Sequence, residues 1–211
     1  ARLQAALDGL DLNGSERLVV VLMQLVNLLK DGKPVRMSKR SGKAIALHDL
    51  LDEISVDAAR YFFNSRTSTS PLDFDLGLAV RQDSENPVYY VQYAHARICS
   101  LLARLAEEGS VVPAGADVDA ALFTTPEEMT LVKALAQYPN EIHLAARDFD
   151  PSRINRYLTV LAGDFHRFYN ACRIKGEAAE VVAARLKLAD SVRAVLANGL
   201  ALLGVAAPEK M

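Results

Sequence analysis

The sequence predicts a mainly α protein, with a helical bundle over residues 83–211 preceded by a smaller α/β segment over residues 1–82. Three observations carry this. Apolar residues recur at helical spacing in the second part, where Val91, Ala94, Ile98, Leu101, Leu102 and Leu105 share one side of a single helix. Cap signals open further helices there: Thr125-Pro126-Glu127-Glu128 supplies an N-cap, Pro at N1 and Glu at N3, and Asp150-Pro151 repeats the cap-plus-proline device. Strand and hairpin signals are confined to the first part, where a β-branched run ends at Asp31-Gly32.

In chain order, Arg2–Leu10 reads as a helix fragment and Arg17–Leu29 as a dense apolar, strand-like run. The Asp-Gly tip implies a returning strand near Pro34–Arg36, and Ala44–Leu47 reads as a short strand. Leu47–Ile54 and Val56–Asn64 are expected as short helices, the second capped by Ser55. The polar, turn-rich Arg66–Pro71 suits a crossing between domains. With no nearby His or third acid, Asp73-Phe74-Asp75 reads as a capped turn that begins a helix.

In the second part a helix over Pro87–Glu108 places Tyr89, Tyr93, Arg97, Ser100 and Arg104 opposite its apolar side. Such an aromatic–arginine stripe suits base stacking with phosphate contact, and equally tyrosines packed on a neighbouring helix. Gly109–Phe123 is a small-residue connector. The helix from Pro126 is expected to stop or kink at Tyr138-Pro139 and to resume through Arg147. A long helix then runs to about Lys175, with Gly176 at C′. Ile154, Leu158, Leu161, Phe165 and Cys172 form its core stripe, Arg153, Tyr157, Arg167 and Lys175 lie opposite, and Tyr169 is part-buried. Ala178–Leu203 closes the bundle.

Of the 211 residues 51% are apolar, enough for a real core. No apolar run is long and unbroken enough to span a bilayer, and the start does not read as a signal peptide. Cys99 and Cys172 are expected as buried thiols of a protein in a reducing cytoplasm, and no metal-ligand spacing occurs. His95 and His166, with no nucleophile or metal partner in the pattern, read as satisfied structural histidines. The formal charge of −2 argues against sequence-blind nucleic-acid binding but leaves room for local basic patches.

One such patch is dense. Lys30 to Lys43 holds six basic residues against Asp31, centred on Arg36-Met37-Ser38-Lys39-Arg40-Ser41-Gly42-Lys43. Lysines beside Ser and Gly suit a polyphosphate, and they also suit a solvated hairpin tip. A Walker loop is excluded, because Gly32 and Gly42 are ten apart and no helix signal follows Lys43 directly.

Met37, Ser38 and Lys39 resemble the Lys-Met-Ser-Lys-Ser signature of class I aminoacyl-tRNA synthetases, with Arg36 in place of the first lysine and Arg40-Ser41 in place of the last serine. Asn86–Arg97, Leu72–Asp75, Phe165–Arg173 and the ending Leu202–Met211 resemble, in the same order, the arginyl-tRNA synthetase family. The resemblance covers essentially the whole chain. It implies the end of a class I catalytic domain over 1–82, with the signature loop at 36–42, and a helical anticodon-binding domain over 83–211.

It further implies arginine–tRNA ligase chemistry, with tRNA-Arg, arginine and ATP as partners and Mg2+ only as the counter-ion of ATP. Arg36, Met37, Ser38 and Lys39 would contact ATP, and Lys39 would stabilise charge on the β- and γ-phosphates as it develops. Tyr89, Tyr93, Arg97, Tyr169, Arg173 and Met211 would contact tRNA. The His-Ile-Gly-His signature of class I enzymes does not occur here. The sequence is therefore expected to be the C-terminal part of a longer enzyme, inactive alone in arginine activation. A helical protein-interaction module, or the equivalent part of a cysteinyl- or methionyl-type synthetase, is the alternative.

Overall fold

The computed structural model describes residues 1–30, 32–35 and 46–211. The basic loop with Arg36, Met37, Ser38 and Lys39 lies outside the described residues, as do Ala44 and Ile45 of the expected short strand.

The first part opens with helices α1 (Arg2–Asp8) and α2 (Gly14–Arg17). Strand β1 (Val26–Lys30) follows and pairs antiparallel with β2 (Lys33–Pro34), Lys30 facing Lys33 across a two-residue connection in which Gly32 takes φ +74°. That is the hairpin the Asp-Gly pair predicts. Helices α3 (Leu47–Glu53) and α4 (Val56–Phe63) lead to β3 (Leu72–Asp75), which lies parallel to β1 with Leu28 opposite Phe74. The sheet order is β2-β1-β3. The Ser55 hydroxyl caps α4 by accepting from the Ala58 N–H at 3.1 Å. Phe74, fully buried, lies 5.2 Å from both Phe62 and Phe63 of α4.

Three expectations change here. The apolar run forms a strand only from Val26, while Leu22 and Leu25 stand 77% and 83% exposed. β1 already has neighbours on both sides, and the upstream residues find no ladder of their own among the described residues. Leu47 opens α3 instead of closing a strand. Asp73 and Asp75 lie in β3, a strand the sequence reading did not foresee, although Asp75 does begin helix α5 (Leu76–Ala79) by accepting from the Gly77 and Leu78 N–H groups at 2.8 and 3.3 Å.

The second part is a bundle of α6 (Pro87–Glu107), α7 (Pro126–Asp148), α8 (Ser152–Ala171) and α9 (Ala179–Leu203). α8 and α9 pack on each other, and both pack on α6 and on α7. Gly199 makes the α8–α9 approach possible, since a Cβ there would fall 2.6 Å from the Leu158 Cδ2. Asn86 caps α6 by accepting from the Val88 N–H, and its amide donates to the Ala79 and Arg81 carbonyls. Thr125 and Glu128 form the expected capping box of α7.

α7 runs through Pro139 as one helix, so the expected stop does not occur there. An interior proline removes an N–H bond to the preceding turn and crowds a carbonyl there, and packing of α7 along α8 and α9 offsets that cost. α8 ends at Ala171, four residues early, and the chain turns through Gly176 at φ +92°. Cys172 is buried as expected, whereas Cys99 is half-exposed.

Candidate nucleic-acid interface

Helices α6 and α8 bring the candidate residues of the second part onto one face. Tyr89, Tyr93 and Arg97 recur at i, i+4 and i+8 on α6, so they project in one row. His166 and Asn170, four apart on α8, face them. With Ser84 and Tyr90 these residues line a hollow of about 530 Å³. The Tyr89 and Tyr93 rings stack 6.3 Å apart and within 6° of parallel, and Tyr93 remains 41% exposed. The His166 ring lies 5.1 Å from Tyr90 and 6.0 Å from Tyr93.

The wall continues over Tyr169. The Arg97 guanidinium carbon sits 4.0 Å above the Tyr169 ring centroid, a cation–π contact that holds the charge in place without a carboxylate. Beyond Tyr169 a second hollow, about 220 Å³, is lined in part by Arg104, Arg173 and Lys175. Among the described residues, Arg97, Arg104 and Arg173 take part in no ion pair. On a chain with acids in slight excess, this leaves a row of cations free to meet an anion. The Arg173 backbone is fixed from below: its carbonyl accepts from the Arg185 guanidinium, which is itself paired at 2.6 Å with the fully buried Glu128.

Met211 is exposed and borders a third hollow of about 330 Å³ together with Tyr89, Gln92 and Arg81. All six candidates from the second part therefore border three adjoining hollows. Tyr89 is shared between the first and third, and the Arg97–Tyr169 contact bridges the first and second.

The tail reaches this place by hydrogen bonds across the molecule. Arg60 Nε donates to the Leu203 carbonyl at 2.9 Å, the Ala206 N–H to Asp57 at 3.1 Å, and Gln92 to both Asp57 and the Ala206 carbonyl at 2.9 Å. His95 Nδ1–H donates to the Pro208 carbonyl at 2.9 Å, so this histidine is satisfied as expected.

His166 is not satisfied. Its Nδ1 is buried with no partner among the described residues, and burial, then the nearby Arg97 charge, hold its pKa below the ordinary histidine value. Tyr90, Asn170 and Ser84 were not among the predicted site residues, and His166, expected as a satisfied structural histidine, lines the hollow instead. The i, i+4 spacing of His166 and Asn170 beside Tyr169 was the available signal. Among the described residues no group of three or more His, Cys, Asp or Glu could hold a metal ion, and no helix is long and apolar enough to cross a membrane.

Residues 91–211 match the family model described as the DALR anticodon binding domain. The whole chain is 51% identical to the arginine–tRNA ligase of Ruminiclostridium cellulolyticum and, equally, to that of Acetivibrio thermocellus. It spans 37% of the length of each. Among solved structures, it is similar over its full length to a Campylobacter jejuni protein assigned as an arginyl tRNA synthetase, with TM-score 0.83 and 34% identity, covering 44% of that chain. The Thermus thermophilus arginyl-tRNA synthetase matches 99% of this chain and 38% of its own with TM-score 0.80 at 24% identity, a likeness of fold.

Proposed function

Because this chain belongs to the DALR anticodon-binding domain family, we propose that residues 83–211 bind the anticodon arm of tRNA-Arg and that the chain acts as the C-terminal part of an arginine–tRNA ligase. The observation that carries this is the hollow between α6 and α8, where stacked tyrosines adjoin guanidinium groups free of carboxylate partners. Unpaired bases of a single-stranded loop stack on aromatic rings, and flanking cations neutralise the phosphates between them. Tyr89 and Tyr93 are the stacking surfaces and Arg97 and Arg173 the phosphate contacts. Tyr169 presents the Arg97 charge, and Met211 closes the neighbouring hollow beside Tyr89.

In the complete enzyme, Arg36, Met37, Ser38 and Lys39 contact the ATP phosphates, and Lys39 stabilises the charge that builds up as pyrophosphate leaves. A cation that engages more strongly in the transition state than in the ground state accelerates the step. The reading is supported by the signature-like string in the sequence and by the likeness to arginine–tRNA ligases. Mg2+ enters with ATP. The setting is the cytoplasm, where tRNA is charged.

The test is binding of the chain to tRNA-Arg beside the same tRNA with its central anticodon base changed. Tighter binding to the native tRNA is expected. Equal, salt-sensitive binding to both would reduce the face to a basic surface.

A further inference from the structure

His166 stands in a different state from the other histidine on this side of the molecule. His95 carries its proton on Nδ1 and spends it on the Pro208 carbonyl. His166 has its Nδ1 buried without any partner among the described residues, while its ring forms part of the wall of the 530 Å³ hollow. A proton on that nitrogen would be a buried donor with no acceptor, which is costly. A bare lone pair there costs less, since under-used acceptors are tolerated more readily than orphaned N–H groups. The proton of the neutral ring therefore belongs on Nε2, the nitrogen that is not sealed off. The packing of Tyr90 and Phe165 against the ring, at 5.1 and 5.9 Å between centroids, fixes its plane.

We propose that His166 is a base-reading residue: its Nε2–H donates to an acceptor on the edge of the nucleobase that enters the hollow against Tyr93. This rests on the anticodon-binding reading of the same hollow. The tyrosines supply stacking, which every base accepts, so they give affinity with little discrimination. Arg97 supplies charge, which phosphates share. Across the hollow from these, a ring held at fixed orientation with one donor distinguishes a base edge that offers an acceptor from one that offers a donor. Neutrality matters too, because a protonated ring would set a second cation beside Arg97 and need an acceptor for its buried Nδ1–H.

The experiment compares the affinities of this chain for tRNA-Arg and for the tRNA with a changed central anticodon base. It is run on the wild type, His166→Phe, His166→Asn and His166→Gln, with a thermal melt on each. Gln places an amide N–H near Nε2, whereas Asn places one near Nδ1. His166→Phe and His166→Asn are expected to lower the discrimination ratio about 3–10-fold, the worth of one hydrogen bond to a base. His166→Gln is expected to keep the ratio within about twofold, because it restores that bond. Wild-type discrimination that survives in His166→Phe and His166→Asn overturns this inference alone. A wild type that binds both tRNAs equally overturns the anticodon reading and the inference with it. Loss of the ratio in a folded His166→Gln equal to that in His166→Phe also overturns it, since packing and not the donor would then be responsible.

Discussion

Glu128 is fully buried, and every oxygen it has is occupied: one accepts from the Thr124 and Thr125 N–H groups at 3.0 and 2.9 Å, the other from Arg185 Nε at 2.6 Å. Burial alone would raise its pKa, but the Thr125 N–H, the Arg185 guanidinium and the Thr125 hydroxyl outweigh burial and hold it below the ordinary 4.5. A carboxyl whose pKa is lowered on folding contributes stability above its ordinary value, lost as pH falls below it. Glu128→Ala strips the buried Arg185 of its close carboxylate and leaves it the Arg173 carbonyl and Glu177 at 3.8 Å, so a loss of roughly 3 kcal/mol is expected in urea titrations. A loss under 1 kcal/mol would mean that water reaches the pair. His166 pushes stability in the same direction from a higher pH. Its lowered pKa means that the unfolded chain takes up a proton the native one refuses, so its stability cost grows as pH falls below 6.5. It is faced by Arg97, Tyr90 and Tyr93 from α6, with Asp164 and Arg167 paired to each other on its own helix. His166→Gln is therefore expected to flatten the fall of melting temperature between neutral and mildly acid pH, and an unchanged slope would refute this.

Helix α7 shows what an element gains from its neighbours. Pro139 sits in its interior, where a proline costs about 3 kcal/mol relative to alanine in an isolated helix. Pro139→Ala should stabilise the chain by about 1–3 kcal/mol in denaturant titrations, as the missing N–H bond is restored. A destabilised variant would show that the α7–α8 packing needs a distorted turn. The helices, their caps and their core stripes were legible because helix periodicity and cap chemistry are local. Thr125, Ser55 and the α6 stripe needed no knowledge of partners. β3 was not legible: Leu72–Asp75 becomes a strand only because β1 lies beside it, and Leu18–Leu25 fails to become one for want of such a neighbour. Within the site, the α6 stripe could be read from spacing alone. Spacing could put His166 on one face with Asn170 but could not show its partnerless nitrogen, which is a property of what the α6 tyrosines leave uncovered.

At the scale of the whole molecule the two parts are tied by the tail. Asp57 and Arg60 of α4 and Gln92 and His95 of α6 all bond to backbone between Leu203 and Pro208. Gly204 permits the turn at φ +66°, and a Cβ there would fall 2.4 Å from the Arg60 guanidinium. Gly204→Ala is thus expected to destabilise by about 1–3 kcal/mol, through left-handed strain and displacement of the Arg60 guanidinium from the Leu203 carbonyl, and to speed limited proteolysis between residues 64 and 86. Unchanged cleavage would show that the tail bonds do not hold the two parts together. The tail bonds also carry a consequence for how the chain is made. They join residues 113 to 149 positions apart in sequence, and the later partner is always Leu203 or a residue after it. During synthesis α4 and α6 emerge early and can pack on each other, but the tail's bonds to both form only once the segment after α9 leaves the ribosome. The hollow that borders Tyr89 and Met211 is therefore among the last features of the molecule to exist, and a nascent chain stalled before Leu203 would present stacked tyrosines without the wall beside them.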